Sequence, residues 1–510
     1  MAARPRWRSK GASKRSPDLS PFPLLSLATR NPRLDGGAGF FVRFSLFDQN
    51  GRVSEMSGHG AGTGEDRRQA GTDRHPERTH SYRLPRGLAR WGVSLAGLVV
   101  FGLMSAYRAA DPEGYRRLMT LWIAYPFKFP FLDLHQLLAV GACARRGIDV
   151  LAVNPCDVLG RPLNYSPLWL SIGRLGLDVT ATPVLGLALG LGFLVWLALL
   201  PPCRSTSGFG LRMAALFSPS VVFGLERANL DLLMAMLIGT AAVWAAGPRR
   251  LAAYAMIELA ALLKFYPAIL VITPLLWERG QKRLGWRANR EYWEPVGVMV
   301  AGAMAVGMVL YFVLERAEIV RVLANVPSGL SFANAFGATI LPRGLQRLVL
   351  PGGDWPVWGL VYASLLLAAI RRVFRVARDS RSEFAIHRPF GVDSRLMGAG
   401  ALILLGCFFA GESIAYRGVF VILLLPACED DVRSLRRLAR LGVLLLWLPN
   451  IPYLFLHSGL PGAGLGAILL WCARELLWWR FIADLAGLSI LSASSVREAG
   501  MSATRASPDR

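Results

Sequence analysis

Long apolar runs alternate with short polar segments along most of the chain, from about residue 87 to residue 488. A helix of about 20 apolar residues crosses the roughly 30 Å hydrocarbon layer of a bilayer, so each run is a candidate membrane span. The runs cover residues 88–109, 181–200, 211–225, 229–247, 251–278, 294–314, 355–371, 395–411, 416–428, 438–456 and 464–487. This pattern predicts an all-α, polytopic transmembrane helical bundle.

The run over residues 251–278 is too long for one upright helix, and it contains Pro267. Proline disfavours helical backbone at the residue before it and lacks an amide hydrogen. We therefore expect two short helices, separated at Lys264-Phe265-Tyr266-Pro267. With this division the bundle has about twelve spans, several of them shorter than an upright span.

Composition agrees with a membrane protein. Of the 510 residues 53% are hydrophobic, and the mean hydropathy is +0.39. The formal net charge is +23, but the basic residues concentrate in the N-terminal tail and in loops between apolar runs. Such loops report orientation and contact with anionic membrane lipids. Because no module that combines basic with stacking aromatic residues occurs, we expect no nucleic-acid partner.

Loop charge also predicts orientation. With the N-terminus inside, the cytoplasmic loops hold the densest basic clusters after the tail, at residues 249–250, 279–290, 371–395 and 433–440. Both termini are then cytoplasmic in a multi-pass protein of the cell (inner) membrane. Two long loops, near residues 110–180 and 315–354, face outside, and loops of that length are usually functional.

The chain divides into three regions. Residues 1–86 are rich in Arg, Ser, Pro and Gly with little periodicity, which predicts a disordered basic cytoplasmic tail. Residues 87–490 form the membrane-embedded domain, and residues 491–510 are expected to be a disordered cytoplasmic tail.

Cysteine and motif content exclude several kinds of site. The six cysteines include no CxxC pair and no Cys/His cluster, so we expect no zinc site. No Walker loop, HExxH or GxSxG motif occurs, and the sequence indicates no cofactor and no metal. Cys143 and Cys156 both fall in the first outer loop, where a disulfide between them is open.

Ionisable residues gather at four places that this topology puts at the outer membrane boundary. Such residues are costly beside apolar runs unless they are paired or line a wet cavity. The four clusters are Asp133 with His135, Glu226-Arg227-Ala228-Asn229-Leu230-Asp231, Lys264 to Pro267, and Glu412 to Arg417. Their convergence on one side of the membrane predicts a functional site there.

The mixture of charges indicates the chemistry. Lys264, Arg227 and Arg417 can neutralise an anionic group at the lipid–water boundary. Asp133 can act as a general base that removes a proton from an attacking hydroxyl. Transfer of a sugar from a lipid-linked phosphate fits both roles, because cations stabilise a phosphate leaving group.

Structural interpretations of the same residues stay open. Asp133 alone fits a helix cap, and His135 a structural partner. Arg227 and Asp231 fit a local ion pair. Lys264 fits a side chain that snorkels to the interface, and Arg417 fits the anchor of a helix end.

In these clusters the sequence resembles the GT-C type integral-membrane glycosyltransferases, and among them the polyprenol-phosphate-mannose-dependent alpha-mannosyltransferases. The resemblance covers about residues 88–490. It rests on Asp133, Tyr165-Ser166-Pro167-Leu168, Glu226-Arg227-Ala228-Asn229-Leu230-Asp231, Lys264-Phe265-Tyr266-Pro267 and Tyr416-Arg417. Ser166 stands where the family has a proline, and Ala228 where it has a glycine.

The resemblance implies an inverting, single-displacement transfer of a hexose, with mannose favoured, from a polyprenyl-phosphate donor. Asp133 would be the base, and the acceptor would be a glycolipid, a polysaccharide or a protein hydroxyl. Residues expected to bind donor phosphate or substrate are Arg227, Lys264, Arg417, His135, Tyr165, Glu226, Asn229, Asp231 and Tyr416. The alternatives are a multi-span transporter or lipid flippase, and a scaffold protein of an envelope assembly.

Overall fold

A computed structural model of the chain describes residues 84–123, 129–280, 290–326, 335–349, 356–386, 391–429, 432–456, 458 and 460–505. Within these residues the chain is mostly helical, which confirms the predicted all-α character. Its only strands there are β1 (Ala335–Phe336) and β2 (Ser413–Ile414), which pair antiparallel. All but the last three residues of the predicted N-terminal tail lie outside the described part.

Nine α-helices make up the first half of the described chain. They are α1 (Arg86–Ala110), α2 (Pro112–Trp122), α3 (Leu132–Arg145), α4 (Thr182–Trp196), α5 (Thr206–Leu216), α6 (Pro219–Arg227), α7 (Leu230–Trp244), α8 (Arg250–Leu263) and α9 (Thr273–Gly280). Four 3₁₀ segments lie between these helices. Pro167–Leu175 lies in the loop between α3 and α4, Val179–Ala181 and Leu197–Leu199 flank α4, and Tyr266–Ile272 joins α8 to α9.

Nine further α-helices follow. They are α10 (Arg290–Leu314), α11 (Arg316–Ala324), α12 (Ile340–Val349), α13 (Pro356–Asp379), α14 (Arg381–Ile386), α15 (Val392–Ala410), α16 (Arg433–Trp447), α17 (Ile451–Leu456) and α18 (Ala463–Arg505). The 3₁₀ segments here are Ala415–Leu423, Leu425–Glu429 and Leu448–Asn450. Helix α18 extends past residue 490, where the sequence placed the start of a disordered tail.

Four helical stretches in the described residues are long and apolar enough to cross a membrane: Arg86–Ala110, Val179–Leu199, Pro295–Leu314 and Val392–Ala410. The pair α5 and α6, bent by 49°, gives a fifth if it is counted as one broken span. Leu230–Trp244 and Tyr266–Trp277 are apolar but shorter. These helices are consistent with a membrane protein. They do not confirm the predicted count of about twelve spans.

The predicted break in the run 251–278 is confirmed. Helix α8 ends at Leu263, and Lys264 is extended, with φ −153° and ψ 112°. The chain then continues as the 3₁₀ segment with Pro267 in its first turn. The extended backbone lets the Lys264 side chain leave the helix axis and enter the protein.

Glycines in α4 permit close packing against the elements that carry the candidate site. A Cβ atom placed on Gly186 would lie 2.3 Å from the Phe131 ring, and one on Gly190 would lie 2.6 Å from Phe101. The Gly-rich sequence of α4 therefore serves helix packing, and Gly186 in particular fixes how Phe131 precedes α3.

Two groups of ion pairs lie at opposite ends of α1. Near its beginning the Cys203 amide donates to the Ala89 carbonyl, and the adjacent Arg204 pairs with Asp393. Near its end Arg108 pairs with a glutamate of α6. The two ends of α1 are about 36 Å apart, because each of its 25 residues adds about 1.5 Å. The candidate site occupies the second of these ends.

Candidate functional site

Asp133 lies in the first turn of α3 and is buried, with 5% of its surface exposed. Its Oδ2 accepts a hydrogen bond from the amide of Asn229 at 2.6 Å. Its Oδ1 accepts longer bonds from Arg161 Nη1 at 3.3 Å and from Arg227 Nη1 at 3.4 Å. Two guanidinium groups therefore compensate one buried carboxylate, as burial of a charge requires.

The side chains of the turn between α6 and α7 point in two directions. Ala228 adopts the left-handed conformation, with φ 45° and ψ 51°, in which glycine is normally favoured at the end of a helix. Asn229 then caps α7, because its Oδ1 accepts from the Asp231 amide at 2.8 Å. As a result Arg227 and Asn229 contact Asp133, and the Asp231 side chain lies beyond them on α7.

Asp231 is the centre of a second charged cluster. Its Oδ1 accepts from Lys264 Nζ at 2.5 Å and from the Tyr266 hydroxyl at 2.7 Å. Arg417 Nε lies 3.7 Å from Oδ2. The Asp231 side chain is 1% exposed and that of Lys264 11%. The snorkelling interpretation of Lys264 is therefore wrong, and Arg417 does more than anchor a helix end.

Aromatic rings join the two clusters. Lys264 Nζ lies 5.3 Å from the ring centre of Tyr165 and 5.9 Å from that of Tyr416. Arg417 lies over the Tyr266 ring at 4.1 Å. Arg227 lies 4.4 Å from the ring centre of Phe223, which neighbours Tyr416. Cations over aromatic faces at these distances are attracted to the ring electrons. Residues from all four sequence clusters are thus brought together.

Arg161 belongs to the site, although sequence reasoning did not select it. It donates to the Leu132 carbonyl at 2.7 Å and to Oδ2 of Asp157 at 2.9 Å, in addition to its bond to Asp133. The signal in the sequence was an arginine four residues after an acid, Asp157, in the long loop between α3 and α4. A disulfide between Cys143 and Cys156 links the end of α3 to this loop.

Glu226 lies beside Asp133 but outside its hydrogen bonds. Its backbone carbonyl accepts from the Phe131 amide at 3.1 Å, two residues before Asp133. Its buried side chain faces Arg108, whose Nη1 is 3.6 Å from Oε1.

Two predicted positions point elsewhere. His135 Nδ1 lies 3.3 Å from the Thr182 hydroxyl, and its ring packs on Phe129 at 4.3 Å between centres. Burial lowers the pKa of His135, so the ring is neutral near pH 7. Glu412 contacts Arg343 at 2.8 Å, away from the Asp231 cluster. The structural interpretation of His135 therefore fits better than a role in substrate binding.

In the described residues no three His, Cys, Asp or Glu side chains lie close enough together to hold a metal ion. Comparison with family models, with curated proteins and with solved structures finds no match to this chain.

Proposed function

We propose that the protein is an integral-membrane glycosyltransferase of the GT-C type. It would move a hexose, with mannose favoured, from a polyprenyl-phosphate donor to an acceptor hydroxyl on the extracytoplasmic face. The observation that carries this proposal is the joining of the buried Asp133 carboxylate to a cation-rich cluster at one end of the helical bundle. A base and a phosphate site must lie side by side for such a transfer.

The reaction needs few groups. The acceptor oxygen bonds to the anomeric carbon as the bond from that carbon to the phosphate oxygen breaks, with its electron pair leaving on the phosphate. The hydroxyl proton passes to Asp133, and the configuration at the carbon inverts. Lys264 and Arg417 would stabilise the charge that develops on the leaving phosphate.

A bound donor phosphate would compete with the Asp133 carboxylate for its cationic partners. Without donor, Oδ1 of Asp133 is held by Arg161 and Arg227 through bonds of 3.3 and 3.4 Å. A phosphate accepts bidentate bonds from a guanidinium, so a bound donor competes for Arg227. Loss of that contact would leave Oδ1 available to the acceptor proton.

An apolar groove beside the cluster supports a lipid donor. It lies between the segment Tyr266–Ile272 and α10, has a volume of about 490 Å³, and includes Arg316 among its lining residues. Phe265, which follows Lys264, packs on Phe312 in this groove at 5.4 Å between ring centres. A polyprenyl chain in the groove would place its phosphate near Lys264.

The proposal includes the finer topology. A bundle of about twelve spans in the cell (inner) membrane, with both termini cytoplasmic, would put Asp133 and Lys264 on the outer side. Shorter apolar helices, such as α7, would complete the spans that length alone does not identify.

The direct test uses purified protein in lipid vesicles with radiolabelled polyprenyl-phosphate mannose and membrane lipid extract as acceptor. We expect the wild type to make a labelled product and Asp133→Asn to be slower by about 10²–10⁴-fold, the usual contribution of a general base. Asp149→Asn is the matched control, because this aspartate is exposed and its ion pair with Arg321 lies at the surface.

Equal rates for wild type and Asp133→Asn would contradict the role of the base. If no sugar phosphate donor is used, and flux of a lipid across the vesicle membrane is measured instead, the protein is a transporter or flippase.

A further inference from the structure

A narrow cleft lies between the outer half of α1 and the helices α2, α5 and α6 behind it. Its unfilled volume, including the open mouth, is about 600 Å³. Along α1 it runs from Gly97 to Arg108, which is about 16 Å of helix. Its walls are mainly apolar and include Phe101, Met104 and Met119.

The cleft follows from the distribution of small residues in α1. The buried residues of this fully described helix are Gly92, Val93, Ser94 and Gly97, all in its first half. Small side chains let two helices approach closely. Beyond Gly97 no residue of α1 is buried, and the cleft lies beside this half of the helix, between α1 and the helices α2, α5 and α6.

The outer end of the cleft is polar. It is formed by Arg108, Tyr115 and Glu226, and the Glu226 side chain is 1% exposed. Within the described residues neither carboxylate oxygen of Glu226 accepts a hydrogen bond. Buried carboxylate oxygens are normally hydrogen-bonded, so this pair of acceptors indicates a ligand with donor groups.

We propose that this cleft holds the hydrocarbon chain of the acceptor, which makes the acceptor a lipid rather than a polysaccharide or a protein. The inference rests on the proposed function. The chain would lie along α1, and head-group hydroxyls would donate to Glu226 and present one oxygen to Asp133. The mainly apolar walls of the cleft suit a hydrocarbon chain, whereas a polysaccharide would leave its hydroxyl groups there without partners.

The charged residues at its end distinguish this cleft from the groove on α10. The groove includes the cation Arg316 in its lining, and Phe265, the residue after Lys264, packs on Phe312 of its wall, so cations that attract a phosphate belong to this side of the site. The cleft ends at a carboxylate balanced by Arg108 at 3.6 Å, which accepts hydroxyl donors without attracting an anion. Because Glu226 joins the Asp133 turn through the Phe131 amide, the two chains would approach the site from different sides.

Kinetics with two acceptor probes test the proposal. We expect octyl α-mannoside to have a KM at least about 10-fold below that of methyl α-mannoside, since each buried methylene contributes about 0.8 kcal/mol. Met104→Trp fills the cleft and should remove this difference, while the rate with methyl α-mannoside stays unchanged. Leu103→Trp is the matched control, because Leu103 is 61% exposed and does not line the cleft.

Partition of the octyl probe into the vesicles affects all variants alike, so the comparison of the two tryptophan variants isolates the cleft. Equal KM values for both probes in the wild type would overturn the proposal. An equal loss of rate with both probes in Met104→Trp would also overturn it, because the substitution would then act on the fold.

Photolabelling separates this inference from the proposed function. An octyl mannoside with a diazirine on its chain should label peptides of α1 and α2 in the wild type and in Leu103→Trp, but not in Met104→Trp. This outcome supports the chain site even if no sugar transfer is detected. Labelling that is unchanged in Met104→Trp identifies the probe as surrounding lipid and overturns the chain site.

Discussion

At the scale of residues, the charge partners of Asp133 and Asp231 divide the site into two halves, which correspond to the base and the anion-binding part of the proposed transferase. Asp133 contacts Arg161, Arg227 and Asn229, whereas Asp231 contacts Lys264 and other donors. Both carboxylates are buried, so the removal of one partner leaves an uncompensated charge, which is strongly destabilising. Substitutions here therefore need a readout of folding beside that of activity.

Arg161→Gln is expected to lower kcat/KM by about 10- to 100-fold through misplacement of Asp133, because the bonds to Leu132 and Asp157 hold the guanidinium in place. Transfer assays on Arg161→Gln and Arg161→Lys, with melting temperatures, check this. The lysine variant should recover part of the rate because it keeps the charge.

Arg146→Gln is the control, since Arg146 is an exposed arginine of the same loop. A wild-type rate for Arg161→Gln would show that the Asp133 carboxylate is positioned without Arg161.

Sequence reasoning found most residues that the structure brings together, because apolar surroundings make each charge conspicuous. It missed Arg161, since the path of the loop from Cys143 to Tyr165 depends on a disulfide and on turns that spacing does not reveal. It also grouped His135 with Asp133. Residues two apart on a helix face different sides, and His135 accordingly contacts Thr182.

At the scale of elements, the break after α8 could be predicted because proline acts locally, whereas other boundaries depend on packing. The apolar run 416–428 is one example. It forms 3₁₀ segments, and the nine residues of Ala415–Leu423 rise by about 18 Å, more than an α-helix of that length. Periodicity did not distinguish this tighter helix from an α-helix.

The close contact between α4 and Phe131 gives a prediction for an element. Gly186→Ala should destabilise the protein by about 1–3 kcal/mol and reduce transfer, because the new Cβ displaces the ring that precedes α3. Gly192→Ala, in the same helix with no atom within 4 Å of its Cβ position, should be neutral or stabilising by up to about 1 kcal/mol.

Thermal unfolding in detergent, followed by intrinsic fluorescence, compares the two alanine variants. If Gly186→Ala and Gly192→Ala melt at the same temperature, the contact with Phe131 does not constrain α3.

At the scale of the whole molecule, the sequence indicated a helical membrane protein but not which helices cross the bilayer. Length and apolar composition identify four such helices in the described residues. The other predicted spans are interrupted in the described structure, as at Lys264, or carry charges that pair inside the protein. Arg474 and Glu475 of α18 are an example of such a buried pair. A span count from hydropathy alone cannot resolve such elements.

Sidedness is the prediction at this scale. A cysteine at position 149 should react with a membrane-impermeant maleimide added from outside intact cells, and one at position 436 only after permeabilisation. Asp149 is exposed in the loop that the sequence predicts to be outside, and Arg436 lies near the start of α16. Position 149 suits labelling better than the buried Asp133.

The native cysteines allow the experiment. Cys143 and Cys156 are bonded, and Cys203, Cys407 and Cys428 are buried, so Cys472 is the one to replace first. Labelling at 436 from outside would invert the topology.

The balance of charge in the site has a consequence for turnover. Arg108, Arg161, Arg227, Lys264 and Arg417 face four carboxylates, Asp133, Asp157, Glu226 and Asp231. The excess of one positive charge matches a sugar phosphodiester, which carries one negative charge. In the proposed transfer the released lipid would be a monoester with a charge of about −1.5 to −2. We therefore expect electrostatics to hold the spent carrier more firmly than the loaded one, and the departure of the carrier, rather than bond cleavage, to set the pace of the cycle.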